Sequence, residues 1–221
     1  EPEARLCLLS LSRGGADASV VREFDTVAKS FVEGGFKLEE AKSGASWIDA
    51  DTLFVGTDFG PGSLTSSGYP RIAKRWTRGT PLTAAETVYE GKVEDVWNGA
   101  FADTTPGFER QGIMRAMTFY SSEMYLLQDG KQVTVDKPDS ANASLHREWL
   151  LVELRDDWAV GGKTWPAGSL LVTRLDDFMS GKRELTPLFT PTDRSSLAGY
   201  SPTRNHIIVN ELDNVKNRVY V

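Results

Sequence analysis

An all-β fold, a partial β-propeller of about four to five blades made of antiparallel four-stranded sheets, is what this sequence predicts, and three observations predict it. Short runs rich in β-branched and aromatic residues recur along all 221 residues, bounded by Gly, Pro, Asp and Ser clusters. They group into antiparallel units starting near residues 4, 47, 93, 145 and 195, a spacing of roughly 40–50 residues that suits propeller blades. No segment sustains an apolar period of about 3.6 residues, which argues against a helical solenoid. A β-sandwich with long hairpins shares this strand pattern and is the competing architecture.

In the first unit, residues 5–12 form an apolar run that turns alternating, as in a strand packed on both faces at one end. Arg13-Gly14-Gly15-Ala16-Asp17-Ala18 makes a turn, 20–25 returns, and 30–32 follows. Gly34-Gly35 closes the unit, and residues 36–46 are expected to link it to Trp47. The organising stretch runs from Trp47 to Gly91, with strands at 52–57, 71–77 and 87–90. Arg78-Gly79-Thr80-Pro81 is its turn, because Gly supplies φ > 0 and Pro presets φ. The third unit carries strands at 93–100 and 113–120, then 123–128 and 132–136 across Asp129-Gly130-Lys131, a strong hairpin signal. Residues 137–144 are expected to be a linker. The fourth unit carries strands at 148–154, 169–174 and 185–190, with a turn at Gly161-Gly162-Lys163. Residues 176–181 read as one helical turn with an Asp cap. A short last unit holds strands at 195–200, 206–212 and 218–221. Residues 1–221 are therefore expected to form a single partial propeller domain with units at 4–35, 47–91, 93–136, 145–190 and 195–221.

Composition narrows the function classes. Hydrophobic residues at 40% and charged ones at 25% are those of an ordinary globular protein. A net charge of −6 without a basic stripe argues against nucleic acid. No apolar run approaches the roughly 20 residues of a membrane helix. The single cysteine, Cys7, excludes an internal disulfide framework and reads as a small apolar strand residue. The chain opens Glu1-Pro2 without Met, as a processed or excised product would, so a missing leader is silent on compartment.

Motifs that would carry chemistry are weak here. Acyl transfer on an α/β-hydrolase sheet needs Gly-x-Ser-x-Gly followed by an acid and a histidine. The nearest serines, Ser63 after Gly60-Pro61-Gly62 and Ser169 after Gly168, lack the second glycine and read as turn residues. His146 and His206, the two histidines, read as surface or strand-edge residues. Gly161-Gly162-Lys163-Thr164 imitates the end of a phosphate loop, but Asp157 replaces the first glycine and Trp165-Pro166 follows where a helix should. Asp49 and Asp51 begin like a calcium loop that Leu53 and Phe54 spoil. Asp156-Asp157 and Asp176-Asp177 read as solvated turns, and Asn142-Ala143-Ser144 is a bare glycosylation sequon. Of the six tryptophans, Trp47, Trp76, Trp149 and Trp165 belong to apolar packing, whereas Trp97 and Trp158 are the expected exposed pair. The residues thus assign no catalytic, cofactor-binding or metal-ligating position and no cofactor.

Several stretches carry a resemblance. Ser-Leu-Ser-Arg-Gly-Gly-Ala-Asp-Ala (10–18), Arg-Glu-Phe-Asp (22–25), Ser-Trp-Ile-Asp (46–49), Thr-Leu-Phe-Val (52–55) and Lys-Arg-Trp-Thr-Arg-Gly-Thr (74–80) resemble the N-terminal propeller domain of the prolyl oligopeptidase family of serine peptidases. His-Arg-Glu-Trp-Leu-Leu (146–151), Gly-Gly-Lys-Thr-Trp-Pro-Ala-Gly-Ser-Leu-Leu (161–171) and Leu-Asp-Asn-Val-Lys-Asn-Arg (212–218) resemble its bacterial branch. The resemblance implies a seven-bladed propeller capping a C-terminal α/β-hydrolase domain and admitting only short peptides to a serine nucleophile. It implies the cytoplasm or periplasm of a bacterium. This chain is short for seven blades and lacks the hydrolase domain, so it is expected to be inactive alone, with that domain and short peptides as partners. The alternative is a stand-alone peptide- or glycan-binding module.

An open arc carries a physical cost. Each blade buries its faces against two neighbours, so two uncovered faces of several hundred Å² cost on the order of 10 kcal/mol. That rivals a whole domain's stability, about 5–15 kcal/mol. Self-association through the open terminal blades is the expected remedy.

Overall fold

The computed structural model describes residues 5–221; the expected first start at residue 4 and the opening Glu1-Pro2 lie outside them. The chain is almost entirely antiparallel sheet. The first sheet holds β1 (Leu6–Ser12), β2 (Ser19–Asp25), β3 (Ser30–Phe31) and β4 (Lys37–Ala41), with β2 pairing β1 on one side and β3 and β4 on the other. The second runs in sequence order, β5 (Gly44–Asp49), β6 (Thr52–Gly56), β7 (Ile72–Thr77) and β8 (Glu86–Glu90). So does the third, β9 (Trp97–Asp103), β10 (Arg110–Ala116), β11 (Ser122–Gln128) and β12 (Lys131–Thr134). The fourth begins with β13 (Asn142–His146) and β14 (Trp149–Glu153), then inserts the hairpin β15 (Trp158–Val160) and β16 (Lys163–Trp165). It continues with β17 (Leu170–Arg174), the helix α1 (Leu175–Met179) and β18 (Thr186–Phe189). The last has three strands, β19 (Ser195–Pro202), β20 (Ile207–Asp213) and β21 (Lys216–Tyr220).

The chain divides into two compact units. One holds the described residues up to Phe119 with Glu123–Thr134; the other holds Tyr120–Ser122 and Val135–Val221. The first unit's core sets Val21 and Leu38 of the first sheet, with Phe36 just before β4, against Leu53, Val55 and Trp76 of the second. Phe36 meets Trp76 edge-on at 4.9 Å and Trp47 at 5.7 Å, geometries the ring quadrupoles favour. The second unit's core joins Leu151, Leu170 and Phe189 to Val209, with Trp149, Val172 and Tyr200 around them. Leu53, Phe54 and Val55 on β6, and Leu150, Leu151 and Val152 on β14, are all buried. Such consecutive apolar runs belong to strands packed on both faces.

Turn chemistry follows the sequence. Asp129 and Gly130 take φ of 49° and 73°, the double positive φ of a hairpin turn, and Gly161 and Gly162 do the same at 60° and 73°. Four expectations need correction. Residues 36–46 are not a link, because β4 and the start of β5 occupy them. β4 (Lys-Leu-Glu-Glu-Ala) buries only Leu38 fully and faces outward with charges, the composition of an edge strand rather than a core one. The linker at 137–144 already contains the start of β13. The strand expected at 93–100 is β9, displaced to Trp97–Asp103, because Asp95 accepts the Lys92 N–H and folds 92–95 into a turn. The helical turn has Arg174, not Asp, at its N-cap; Asp176 and Asp177 sit in its first turn, where carboxylates suit the helix dipole.

One charged pair joins the first two sheets. The Glu23 side chain is fully buried, and both its oxygens are held by the Arg78 guanidinium at 2.8 and 2.9 Å. Oε2 also accepts the Phe36 N–H at 2.8 Å. Arg78 in turn donates to Asp51 and to the Ala50 carbonyl, and lies over the Phe36 ring. Removing one partner of such a pair strands a charge, so Arg78→Ala should cost about 3–5 kcal/mol in urea denaturation, while the paired change Glu23→Leu with Arg78→Met should recover most of it. Equal losses in the single and paired variants would contradict this account.

Candidate functional site

β5 and β9 stand at the ends of their sheets, and each pairs with a single neighbouring strand. The two sheets are tied here by two bonds, from the Ala102 N–H to Ser46 Oγ at 3.1 Å and from the Asn98 N–H to the Pro70 carbonyl at 2.8 Å. Between them opens a cavity of about 430 Å³, lined among others by Tyr69, Pro70, Trp97, Gly99, Phe101 and Met114. That lies within the range of small-ligand pockets, about 300–1,000 Å³. Trp97 is 39% exposed. Its six-membered ring lies against Gly99, two residues along the same face of β9, where a Cβ would sit 2.7 Å from the ring. Glycine at 99 is therefore what lets the edge of the indole approach its own strand this closely.

Most polar side chains around this cavity are already engaged; the buried Asn98 Oδ1 is the exception and has no partner among the described residues. Ser43 Oγ pairs with Thr57 Oγ1 at 2.7 Å, and Ser46 Oγ takes the Ala102 N–H. Lys42 lies over the Tyr69 ring, donates to the Ser67 carbonyl and pairs with Asp17, which also accepts the Tyr69 hydroxyl. Apart from Asn98 Oδ1, what remains on offer is apolar and aromatic surface.

Behind β9 lies a second charged cluster. Arg115 binds both oxygens of Asp95 and donates to Glu123 at 2.9 Å, and the Tyr125 hydroxyl donates to the same Glu123 oxygen at 2.5 Å. Burial pushes the Asp95 carboxyl up, but Arg115, the Lys92 N–H and Asn98 outweigh it and hold the group below its ordinary value. Tyr125 is pushed up to about 12, first by burial and then by Glu123. Elsewhere Asp25 is held down at about 2, chiefly by Arg5, then by the Ala28 N–H. Burial raises Glu23, yet Arg78 and the Phe36 N–H leave it below its ordinary value.

The residues singled out from sequence fall as follows. Ser63 is buried, donates to the Gly60 carbonyl at 2.7 Å and receives the Phe59 N–H at 2.8 Å, all within its own loop. Ser169 is fully buried beside β17. The structure brings His146 and His206 together, at the tips of the β13–β14 and β19–β20 hairpins, in a cleft of about 260 Å³ with Arg147, Glu148 and Arg204; no serine is among its lining residues. Asp49 Oδ1 accepts the Asp51 N–H in a turn, and Asp51 serves Arg78. Asp157 accepts the Ala167 N–H, and Asp177 pairs with Lys182. Asn142 is exposed on β13, and Cys7 is half-buried on β1. Trp76 and Trp165 are buried, with Trp47 and Trp149 packed beside the two cores. Trp158 is not the expected exposed residue, because it packs against Phe178 with ring centroids 6.4 Å apart. Sequence reasoning picked out Trp97 but not Tyr69, Phe101 or Gly99, because only pairing and register bring these side chains to one cavity.

Successive four-stranded antiparallel sheets, each entered from the last strand of the one before, define a β-propeller domain. The chain belongs to the prolyl oligopeptidase N-terminal β-propeller domain family, whose model matches residues 1–221. It is 31% identical over 228 residues to an uncharacterized peptidase of Sinorhizobium fredii, covering 99% of this chain and 31% of that protein. To an uncharacterized peptidase of Rickettsia prowazekii it is 28% identical over 230 residues, covering 96% of this chain and 32% of the other. Among solved structures, a post-proline cleaving enzyme from Rickettsia typhi superposes with a TM-score of 0.89 at 28% identity, over 97% of this chain and 34% of that one. The chain thus spans about a third of the length of the relatives it matches.

The carboxylates held below their ordinary values predict an acid limit. Their contribution is complete above the unfolded values, 3.8 for Asp25 and Asp95 and 4.5 for Glu23, and is lost as pH falls below them, for Asp25 towards about 2. Tyr125 acts at the other end: its contribution is whole below 10.0 and is lost as pH rises towards about 12. Thermal melting across pH should fall at both ends, and Tyr125→Phe should flatten the alkaline limb only.

Proposed function

We propose that this chain is the non-catalytic propeller of a prolyl oligopeptidase-like serine peptidase, in which it gates access and selects substrates by size. Hydrolysis of short peptides is the work of an α/β-hydrolase domain outside the 221 residues. The observation that carries this reading is the family match across residues 1–221 combined with relatives about three times as long that are named peptidases. Two features of the chain agree with a division of labour. It contains no Gly-x-Ser-x-Gly, and its two histidines occupy a cleft with no serine in its lining. The physical basis of size selection is that sheets packed on both faces cannot part cheaply. A rigid ring of them admits only what fits its openings.

The experiment compares the 221-residue chain with the protein encoded by it and its downstream sequence. The chain alone should not turn over a proline-linked chromogenic peptide. The longer protein should, with a serine-directed inhibitor abolishing the activity. It should also cleave a short peptide while sparing the same sequence inside a folded protein. Turnover by the 221-residue chain itself, blocked by that inhibitor, would overturn the proposal.

A further inference from the structure

We propose that the cleft between the tips of the β13–β14 and β19–β20 hairpins is an anion site. Through His146, His206, Arg147 and Arg204 it holds a tetrahedral oxyanion: sulfate, phosphate or a phosphate monoester. The assignment goes beyond the peptidase reading and does not depend on it.

Three observations carry the assignment. The first is the charge of the cleft. About 260 Å³ in volume, it is lined by two arginines and two histidines against a single acid, Glu148, in a chain whose net charge is −6. Glu148 meets Arg147 only loosely, at 3.9 Å. Among the described residues the Arg204 guanidinium and both imidazoles have no hydrogen-bond or ion-pair partner, so their N–H groups are open to a ligand. The second is that the turns presenting these groups are fixed. Thr203 Oγ1 accepts the His206 N–H at 3.1 Å, and the Thr203 hydroxyl and N–H both donate to the His206 carbonyl, at 3.0 and 2.8 Å. The Glu148 carbonyl accepts the Leu175 N–H at 2.9 Å, and Arg147 Nη1 donates to the Arg204 carbonyl at 3.1 Å, tying one tip to the other. Donors gathered in advance lower the ordering cost of binding. The third is the backbone of Arg147, which takes φ of 51° at its hairpin tip. Gly or Asn fills that left-handed region with less strain. Strained non-glycine residues gather at ligand sites, and here the strain sets a guanidinium in the cleft wall. Chemistry then selects the ligand. Guanidinium and imidazolium groups donate and do not accept, and the planar fork of arginine matches phosphate geometry. Histidine gains its charge between pH 8 and pH 5, so the site is strongest in acid. The charged groups set around the imidazoles are Arg147 and Glu148 on one turn and Arg204 on the other. Arg174 of β17 joins them, its guanidinium 5.7 Å from the ring of Trp149, another lining residue.

The test adds sodium sulfate at constant ionic strength to the intact 221-residue chain and follows the imidazole proton resonances of its two histidines. His146→Gln and His206→Gln each assign one of them. Both resonances should shift saturably. Binding should be about tenfold tighter at pH 5 than at pH 8, because sulfate keeps its charge over that range while the imidazoles gain theirs. Arg204→Gln should weaken binding about tenfold, as loss of a charged donor does. Arg147→Asn, which suits the left-handed backbone and so keeps the turn, should weaken it by a similar factor. Glu148→Gln removes the opposing charge and should strengthen binding about threefold, a gain that a purely structural role would not give. The indole resonance of Trp165, buried in the same compact unit, reports that each variant keeps its fold. Inorganic phosphate and glycerol phosphate should both displace sulfate. Tighter binding of the ester marks the ligand as a monoester, tighter binding of the ion marks it as free phosphate, and either supports the site. A shift at one histidine only, an equal response to sodium chloride, or unchanged affinity in Arg204→Gln would each overturn the proposal.

Discussion

Each sheet of this chain has two faces to cover, and that requirement shapes most of what the sequence contains. A sheet with one wet face can alternate polar and apolar residues; β6 and β14 cannot, and they run Leu-Phe-Val and Leu-Leu-Val. Because apolar surface is needed on both sides, charges that enter these layers must arrive with partners. Glu23 does so with Arg78, and Asp95 with Arg115. Neither pair is strong evidence for stability by itself, since desolvation offsets attraction. Both fix how one strand lies against the next, and Arg78 reaches from the second sheet into the first by doing so.

Much of the fold was legible because strands buried on both faces announce themselves. The runs around Leu53 and Leu151 stand out, and the Asp129-Gly130 and Gly161-Gly162 turns need residues that tolerate positive φ. β4 was hidden because its Lys-Leu-Glu-Glu-Ala pattern buries only Leu38 fully and reads as solvated linker. The onset of β9 was misplaced because Val93 and Val96 look like strand residues. Asp95 instead folds that segment into a turn before the strand begins.

The site was less readable than the fold, for a physical reason. Trp97 could be picked out as a large aromatic among polar neighbours. Its setting depends on Gly99, an unremarkable small residue whose importance appears only when the indole is seen resting on it. Tyr69 is far from Trp97 in sequence, and β-pairing alone brings the two to one cavity. The two histidines teach the same lesson in reverse. Nothing in their sequence contexts links them, yet adjacent hairpin tips place both in one cleft.

The segment from Asp58 to Gly68 would be chosen on composition as the natural place to cut or graft. Its hydrogen bonds say otherwise. Asp58 caps the Gly60 N–H, Ser63 bridges Phe59 and Gly60, and Arg71 holds the Gly62 carbonyl through two nitrogens. A stretch that looks like a tether is stitched shut by side chains bonded to its backbone. An engineer who swapped it for generic Gly-Ser repeats would be taking out a clasp, not lengthening a leash.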